Sequence, residues 1–373
     1  MSSQTEPLRT GEYTYLPIER VWFGQDSTRH LGEELDRFQS KKPFLVTGKT
    51  IHDQTDLVSR LESHAGRQFV GVYHGILQHA PLGRINKAVQ EAKSAGADAL
   101  ISLGGGSPID STKIIVKELS ADFTKPLLPH VAVPTTLSAA EFSHSAGMTL
   151  EEEKRKSGVR DPRMVPRIVI LDPSLTLPTP KWLWASTGIR SLDHAVESIL
   201  SQKRQPYSDT LALEAIRLIF GDLPISNDDS TNISARLSCQ MAAWMSYAGA
   251  YSVGTGLSHA IGRVIGARYD IPHGITSCIT LAEVMRLAAE KTPERLVPVA
   301  KAEGVTNINE SRTREIALAA AAQVSILLQR LSLAKKLSDY DIPRTDLPRI
   351  AEEVSQGLRT SQKEALRVLE NVY

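Results

Sequence analysis

The sequence predicts an N-terminal α/β domain with a mostly parallel sheet, followed by a C-terminal domain built only of helices. Three observations predict this. Short β-rich apolar runs alternate with helical stretches through the first half of the chain, the grammar of strand–helix–strand units. After Pro180 the apolar residues fall instead at i, i+3 and i+4, with few β-branched runs. The 373 residues also exceed the roughly 250–300 at which a single core stops growing.

The elements follow in order. Residues 43–47 (PFLVT) read as a buried strand ending in Gly48-Lys49, and residues 69–73 (FVGVY) as a second. A helical pattern at 84–95 leads to a third strand at 99–103 (ALISL), which runs into Gly104-Gly105-Gly106. Residues 130–134 (HVAVP) and 167–171 (RIVIL) give a fourth and a fifth. Helical periodicity then runs through 186–202, 208–220, 231–250, 254–266, 276–291, 311–332 and 346–356. Pro173, Pro178 and Pro180 punctuate the boundary, which divides the chain into domains at 1–176 and 177–373.

Composition narrows the function classes. A net charge of +1 without a basic stripe argues against nucleic acid as partner, because phosphate binding needs clustered Lys and Arg. The run Lys154-Arg155-Lys156 stands beside Glu151, Glu152 and Glu153 and reads as a solvated mixed-charge loop. Cys239 and Cys278 are the only cysteines, too few for a disulfide framework or a thiolate metal site, which fits a reducing compartment. Residues 1–25 lack the apolar stretch of a secretion signal, and no run approaches the ~20 apolar residues of a membrane span. The expectation is a cytoplasmic protein with no membrane or nucleic-acid partner.

Two loops and three histidines carry the chemistry. The turn from Gly104 through Ser107 and Asp110 to Lys113 follows a strand and opens a helix. Three glycines let backbone approach a pyrophosphate, and free N–H groups at a helix start attract its charge. Ser107 suits the N-cap and Pro108 the first helical position. After the fourth strand, Thr135, Thr136 and Ser138 present hydroxyls able to meet phosphate or ribose oxygens. His194, His259 and His273 come from three separate segments, and imidazole serves as metal ligand and as general acid or base.

These motifs resemble those of the iron-containing (group III) alcohol dehydrogenase superfamily, on a dehydroquinate synthase-like fold. The stretch Gly104–Lys113 looks like the family's GGGSxxDxxK signature. The loop from Pro134 to Glu141 resembles PTTxGTGSE but is one residue shorter, as in the PTTYAGSE form of maleylacetate reductases. Residues 157–173 are similar to the same reductases, and the likeness runs from about Tyr13 to the C-terminal helices. It implies a Rossmann-like domain binding NAD or NADP, an active site in the cleft between the domains, and a homodimer. Where NAD-preferring relatives often carry Asp, this chain has Gly48, followed by Lys49. Losing a carboxylate that repels a 2′-phosphate permits NADP.

By the same resemblance His194, His259 and His273 align with three of four metal ligands. Two positions depart. The family's D-x-x-x-H places a carboxylate one turn before the histidine, where this chain has Arg190. A further family histidine, four residues after His259, is replaced by Arg263. Two fixed positive charges disfavour a divalent cation in a low-dielectric cleft. Arginine instead offers a fork for carboxylates or a developing oxyanion. Of the nearby carboxylates, Asp193 is expected to pair with Arg190 or face solvent, and Glu197 to brace the helix.

The expected function is reversible hydride transfer between NAD(P)H and a small carboxylated or carbonyl substrate, without a metal. His194, His259 and His273 would orient the substrate and supply acid chemistry at pKa values lowered by the arginines, while Arg190 and Arg263 clamp carboxylate oxygens. The alternatives are an Fe- or Zn-dependent alcohol dehydrogenase using the three histidines, and a non-redox lyase, cyclase or isomerase on the same fold.

Overall fold

The computed structural model describes residues 11–120, 127–151, 155–306, 309–358 and 360–373. Among the described residues eight strands form: β1 (Arg20–Phe23), β2 (Pro43–Gly48), β3 (Gly71–Ile76), β4 (Ala99–Gly104), β5 (His130–Pro134), β6 (Ser145–Leu150), β7 (Arg155–Arg160) and β8 (Ile168–Leu171). Six of them make one sheet in the order β1-β8-β5-β4-β2-β3, with every pair parallel. The strands β4, β5 and β8 are buried along their whole length. Continuous apolar runs of this kind belong to parallel strands covered on both faces. Helices α1 (Leu31–Arg37), α2 (Lys49–Gln54), α3 (Leu57–Ala65), α4 (Leu82–Ser94) and α5 (Gly106–Leu119) connect them. Separate apolar clusters line the two sides of the sheet, one around Leu31, Leu45 and Ile101, the other around Phe44, Ile85 and Ile115.

The helical part begins at Lys181. It comprises α6 (Lys181–Leu200), α7 (Pro206–Asp228), α8 (Ile233–Val253), α9 (Leu257–Arg268) and α10 (His273–Lys291), then α11 (Pro293–Ala302), α12 (Thr313–Arg330), α13 (Leu347–Gly357) and α14 (Gln362–Asn371). The largest apolar cluster fills this half and reaches back to Val169 and Leu171 of β8. Helix α6 is buried from Trp184 to Ile199 and forms the axis of the helical half. A Cβ on Gly188 would stand 2.6 Å from Leu223, so glycine there lets α7 approach α6 closely.

Several expected boundaries move. The second strand starts at Gly71, not 69, because Phe69 and Val70 precede the pairing with β2. The antiparallel hairpin β6–β7 was not expected, since RKSGVR has no apolar alternation. Arg155 and Lys156 open β7 rather than lie in a loop, and Lys154 falls outside the described residues. Helix α10 begins at His273, three residues before the expected start at 276. Helix α5 begins at Gly106 with Gly105 as its cap, so Ser107 and Pro108 lie inside the first turn instead of at the N-cap and first position. No helix among the described residues is long and apolar enough to cross a membrane.

Candidate active site

Strands β4 and β5 are neighbours with Gly104 opposite Pro134, so the glycine turn and the hydroxyl loop emerge side by side. Gly104 has φ +139°, a conformation only glycine adopts readily. A Cβ on Gly105 would lie 3.1 Å from Thr136 Cγ2, and one on Gly106 3.3 Å from Ser138 Oγ. The glycines therefore admit the hydroxyl loop as well as a ligand. The Thr135 N–H donates to the Gly104 carbonyl at 2.9 Å. The loop is also held from the helical half. Thr187 Oγ1 accepts from the Leu137 N–H at 3.1 Å, and Ser191 Oγ donates to the Leu137 carbonyl at 2.6 Å. Thr136 Oγ1 and Ser138 Oγ are buried and have no hydrogen-bond partner among the described residues. Buried hydroxyls left unsatisfied beside a glycine turn fit an oxygen-rich ligand such as a dinucleotide pyrophosphate.

Asp110 and Lys113 stand apart from this cradle. Lys113 is fully buried and donates to Asp110, to the Ala140 carbonyl and to the Ser145 carbonyl. Asp110 accepts from the Gly147 N–H at 3.2 Å. The pair ties α5 to the hydroxyl loop and to the hairpin, and so holds the cradle's shape. Gly48 and Lys49 lie at the end of β2, the strand beside β4.

In the cleft, α6, α9 and α10 bring the second group together. Arg190 is 7% exposed. Its Nη2 lies 3.0 Å from His259 Nε2, and its Nη1 lies 3.0 Å from Ser277 Oγ and 3.4 Å from Asp193 Oδ2. Arginine has only donors, so His259 Nε2 must accept, which places the ring proton on Nδ1. Asp193 is fully buried and also accepts from Ser277 Oγ at 2.6 Å. Glu197 accepts from the N–H groups of Gly256 at 2.6 Å and Ser258 at 2.7 Å, capping the start of α9. The rings of His194 and His259 stand 5.5 Å apart. Arg263 is exposed, with no ion-pair partner among the described residues, and its charge acts on both Arg190 and His259.

Burial is the first cause that holds His194 and His259 well below the usual imidazole range, and the Arg190 charge the second. Both rings are thus neutral at neutral pH, with burial and not the arginines as the larger cause. Burial likewise raises Asp193 above the usual carboxylate range and pushes Glu197 up to about 8.

Donor atoms of Asp193, Glu197 and His259 lie within 4.8 Å of one another, the spacing of a metal site. The residues fit such an ion poorly. His259 Nε2 is occupied by Arg190, both Glu197 oxygens bind backbone N–H groups, and a guanidinium stands among the donors.

Three participants were missed in the sequence. His79, on the loop after β3, reaches over to the helical half: its ring packs edge-on at 5.8 Å from that of His273, and its Nε2 lies 3.1 Å from Asp270 Oδ1. Tyr247 of α8 stands edge-on to His194 at 5.1 Å and donates to Ser143 Oγ at 3.1 Å. Ser277, one helical turn past His273, had the periodicity that would have placed it in the site.

A glycine cradle on a parallel α/β sheet beside a cleft of histidines and arginine is an architecture that several chemistries can use, and the comparisons assign it to a family. Residues 18–173 match the iron-containing alcohol dehydrogenase family, and residues 184–367 match the Fe-containing alcohol dehydrogenase family C-terminal region. The chain is 31% identical over 285 residues to maleylacetate reductase 2 of Cupriavidus pinatubonensis, covering 76% of each protein. It is 29% identical to lactaldehyde reductase of Escherichia coli, covering 95% of this chain and 96% of that one. A solved 1,3-propanediol oxidoreductase superposes with a TM-score of 0.90 at 26% identity, covering 98% of this chain and all of that one. The chain belongs to the iron-containing alcohol dehydrogenase family and is an NAD(P)-dependent oxidoreductase.

Proposed function

We propose that the chain catalyses reversible hydride transfer between NAD(P)H and a small carbonyl or conjugated alkene that carries a carboxylate, and that it works without a metal. The observation that carries the reading is the Arg190 guanidinium, 3.0 Å from His259 Nε2, at the position where the family pattern places a carboxylate ligand. A nicotinamide dinucleotide held by its pyrophosphate at the Gly104–Gly106 turn would supply or accept the hydride. The protein's own groups supply the rest. Arg190 is committed to Asp193, Ser277 and His259, so it fixes the His259 ring and brings a positive charge to the cleft. Arg263, exposed and unpaired among the described residues, is the guanidinium free to receive a substrate carboxylate. His194 and His259, neutral and desolvated, orient the carbonyl. His273, half-buried at the start of α10, is the imidazole placed to exchange a proton. A protein similar to this one is named for maleylacetate, and a substrate carboxylate suits the free Arg263 guanidinium.

The test pairs metal analysis with turnover of maleylacetate and lactaldehyde. The purified enzyme is expected to hold well under one equivalent of Fe or Zn and to keep its activity through chelation. Arg190→Asp rebuilds the D-x-x-x-H spacing and is expected to raise Zn affinity while cutting native activity by about 100-fold or more. Stoichiometric metal in the unaltered protein, lost together with activity on chelation, would overturn the metal-free reading.

A further inference from the structure

The N-terminal side of the cleft carries an imidazole that the hydride-transfer reading does not use. His144 lies between the hydroxyl loop and β6, and its backbone is pinned on both sides. Its carbonyl accepts from the Asp161 N–H at 3.0 Å. Its neighbours Ser143 and Ser145 bond to each other, Oγ to Oγ, at 2.8 Å, and the buried Lys113 donates to the Ser145 carbonyl at 2.9 Å.

Helix α8 fixes the ring. Tyr247 and Tyr251 stand one turn apart on the same face of that helix. Tyr251 meets the His144 ring edge-on, with centroids 4.9 Å apart and planes at 79°, as Tyr247 meets that of His194. The Tyr247 hydroxyl also bonds to Ser143, the residue before His144. Each tyrosine thus backs one imidazole, His194 from the helical half and His144 from the N-terminal half. The two tyrosines lie one helical pitch, about 5.4 Å, apart along α8. His144, Tyr247 and Tyr251 are all half-buried, so this wall is open to a ligand.

The His144 Nδ1 is buried and has no hydrogen-bond partner among the described residues. With no acceptor for a proton on Nδ1, the N–H belongs on Nε2, the more accessible nitrogen. Burial first, and then the charges of Arg160 and Lys113, hold His144 below the usual imidazole range, so the ring is a neutral donor at neutral pH. Arg160, exposed at the end of β7, has no ion-pair partner among the described residues, and its charge favours an anionic group beside His144.

We infer that His144 is a specificity-determining residue, whose Nε2–H meets an oxygen at the end of the substrate that His194 and Arg263 leave free. This rests on the substrate orientation proposed above and deepens it: the preferred substrate carries an oxygen-bearing group, not an alkyl tail, at that end. His194 orients the carbonyl beside one tyrosine of α8, and a group a few bonds further on reaches the imidazole beside the next. An alkyl tail there would leave the N–H desolvated and unpaired, which is how a polar pocket rejects an apolar analogue.

Calorimetric titration of the full chain with 2-oxoglutarate and 2-oxopentanoate tests the contact. The two ligands share chain length, ketone and first carboxylate, and NADP is added as the oxidised form with no hydride to give. 2-Oxoglutarate is expected to bind about 10-fold more tightly. His144→Phe keeps the edge-on contact with Tyr251 but has no N–H, and should lower that ratio by about 5-fold through 2-oxoglutarate alone. His144→Gln retains an N–H donor and should keep most of the preference. Equal binding of the two ligands, or a ratio that His144→Phe leaves unchanged, would overturn the inference. Arg263→Ala, by contrast, should weaken both ligands alike; an unchanged affinity there would overturn the carboxylate clamp proposed above and not the His144 contact. Failure of both ligands to bind would overturn the two together.

Discussion

Arg190 shows how one side chain redefines a site. A guanidinium cannot lose its proton at accessible pH, so it fixes the tautomer of His259 and demands a nearby anion, which Asp193 supplies one helical turn on. Ala139 departs from the pattern in the opposite way. Maleylacetate reductase-like loops carry glycine at this place, and Ala139 sits there at φ +58°, in the left-handed region. An L-residue costs about 1–2 kcal/mol in that conformation, while glycine loses roughly 0.5–1 kcal/mol of extra chain entropy. Ala139→Gly is therefore expected to stabilise the protein slightly, by about 0.5 kcal/mol. Ala139→Val should destabilise it by more than 1 kcal/mol, roughly, because a branched side chain fits that region worst. Urea unfolding of the three proteins checks both signs, and a less stable glycine variant would show that the Ala139 methyl packs better than its backbone suggests.

The pairing of α6 with α10 sets the distances in the cleft. A Cβ on Gly274 would stand 2.6 Å from the Ser186 carbonyl oxygen, a backbone atom with no freedom to yield. This contact lets α10 lie against α6, so that Ser277 reaches both Arg190 and Asp193. Gly274→Ala is expected to force the helices apart, destabilise the protein by about 1–3 kcal/mol and break the Arg190 network. Thermal unfolding and turnover measured together test it, and a variant unchanged in both would remove the close approach from the account. The parts legible in the sequence share one property. Buried strands such as ALISL and the glycine turn after it carry their signal within a few consecutive residues. His194, His259 and Arg190 were legible because the family pattern marks their positions. His79, Tyr247 and the His144–Tyr251 contact were not, because each matters only through a partner distant in sequence. The hairpin β6–β7 was missed for a related reason: its residues pair by backbone register, without apolar alternation.

The two halves are joined over the cleft by several small contacts: the hydroxyl loop on α6, Tyr247 on Ser143, and His79 against Asp270 and His273. His79, Ala80 and Asp270 all hold positive φ at that last contact. Strained non-glycine backbone of this kind persists where surrounding structure over-determines it. Stability of the whole molecule carries a separate, pH-dependent load at Glu303, far along the helical half. Glu303 follows the last turn of α11, where a negative charge opposes the helix dipole. It is 8% exposed, and neither carboxylate oxygen has a hydrogen-bond partner among the described residues. Burial pushes its carboxyl from 4.5 up to about 9. Between those two values the folded chain binds a proton that the unfolded chain has released. Folding is then favoured less as pH rises, and the stability this group allows is fully present only below the unfolded value. Glu303→Gln has no such proton to lose. The unaltered protein is expected to lose stability relative to Glu303→Gln steadily from about pH 5 to pH 9, with the two approaching a constant offset below pH 5, roughly. Urea midpoints measured for both proteins over that range decide it: parallel curves throughout would mean that Glu303 ionises freely in the folded state.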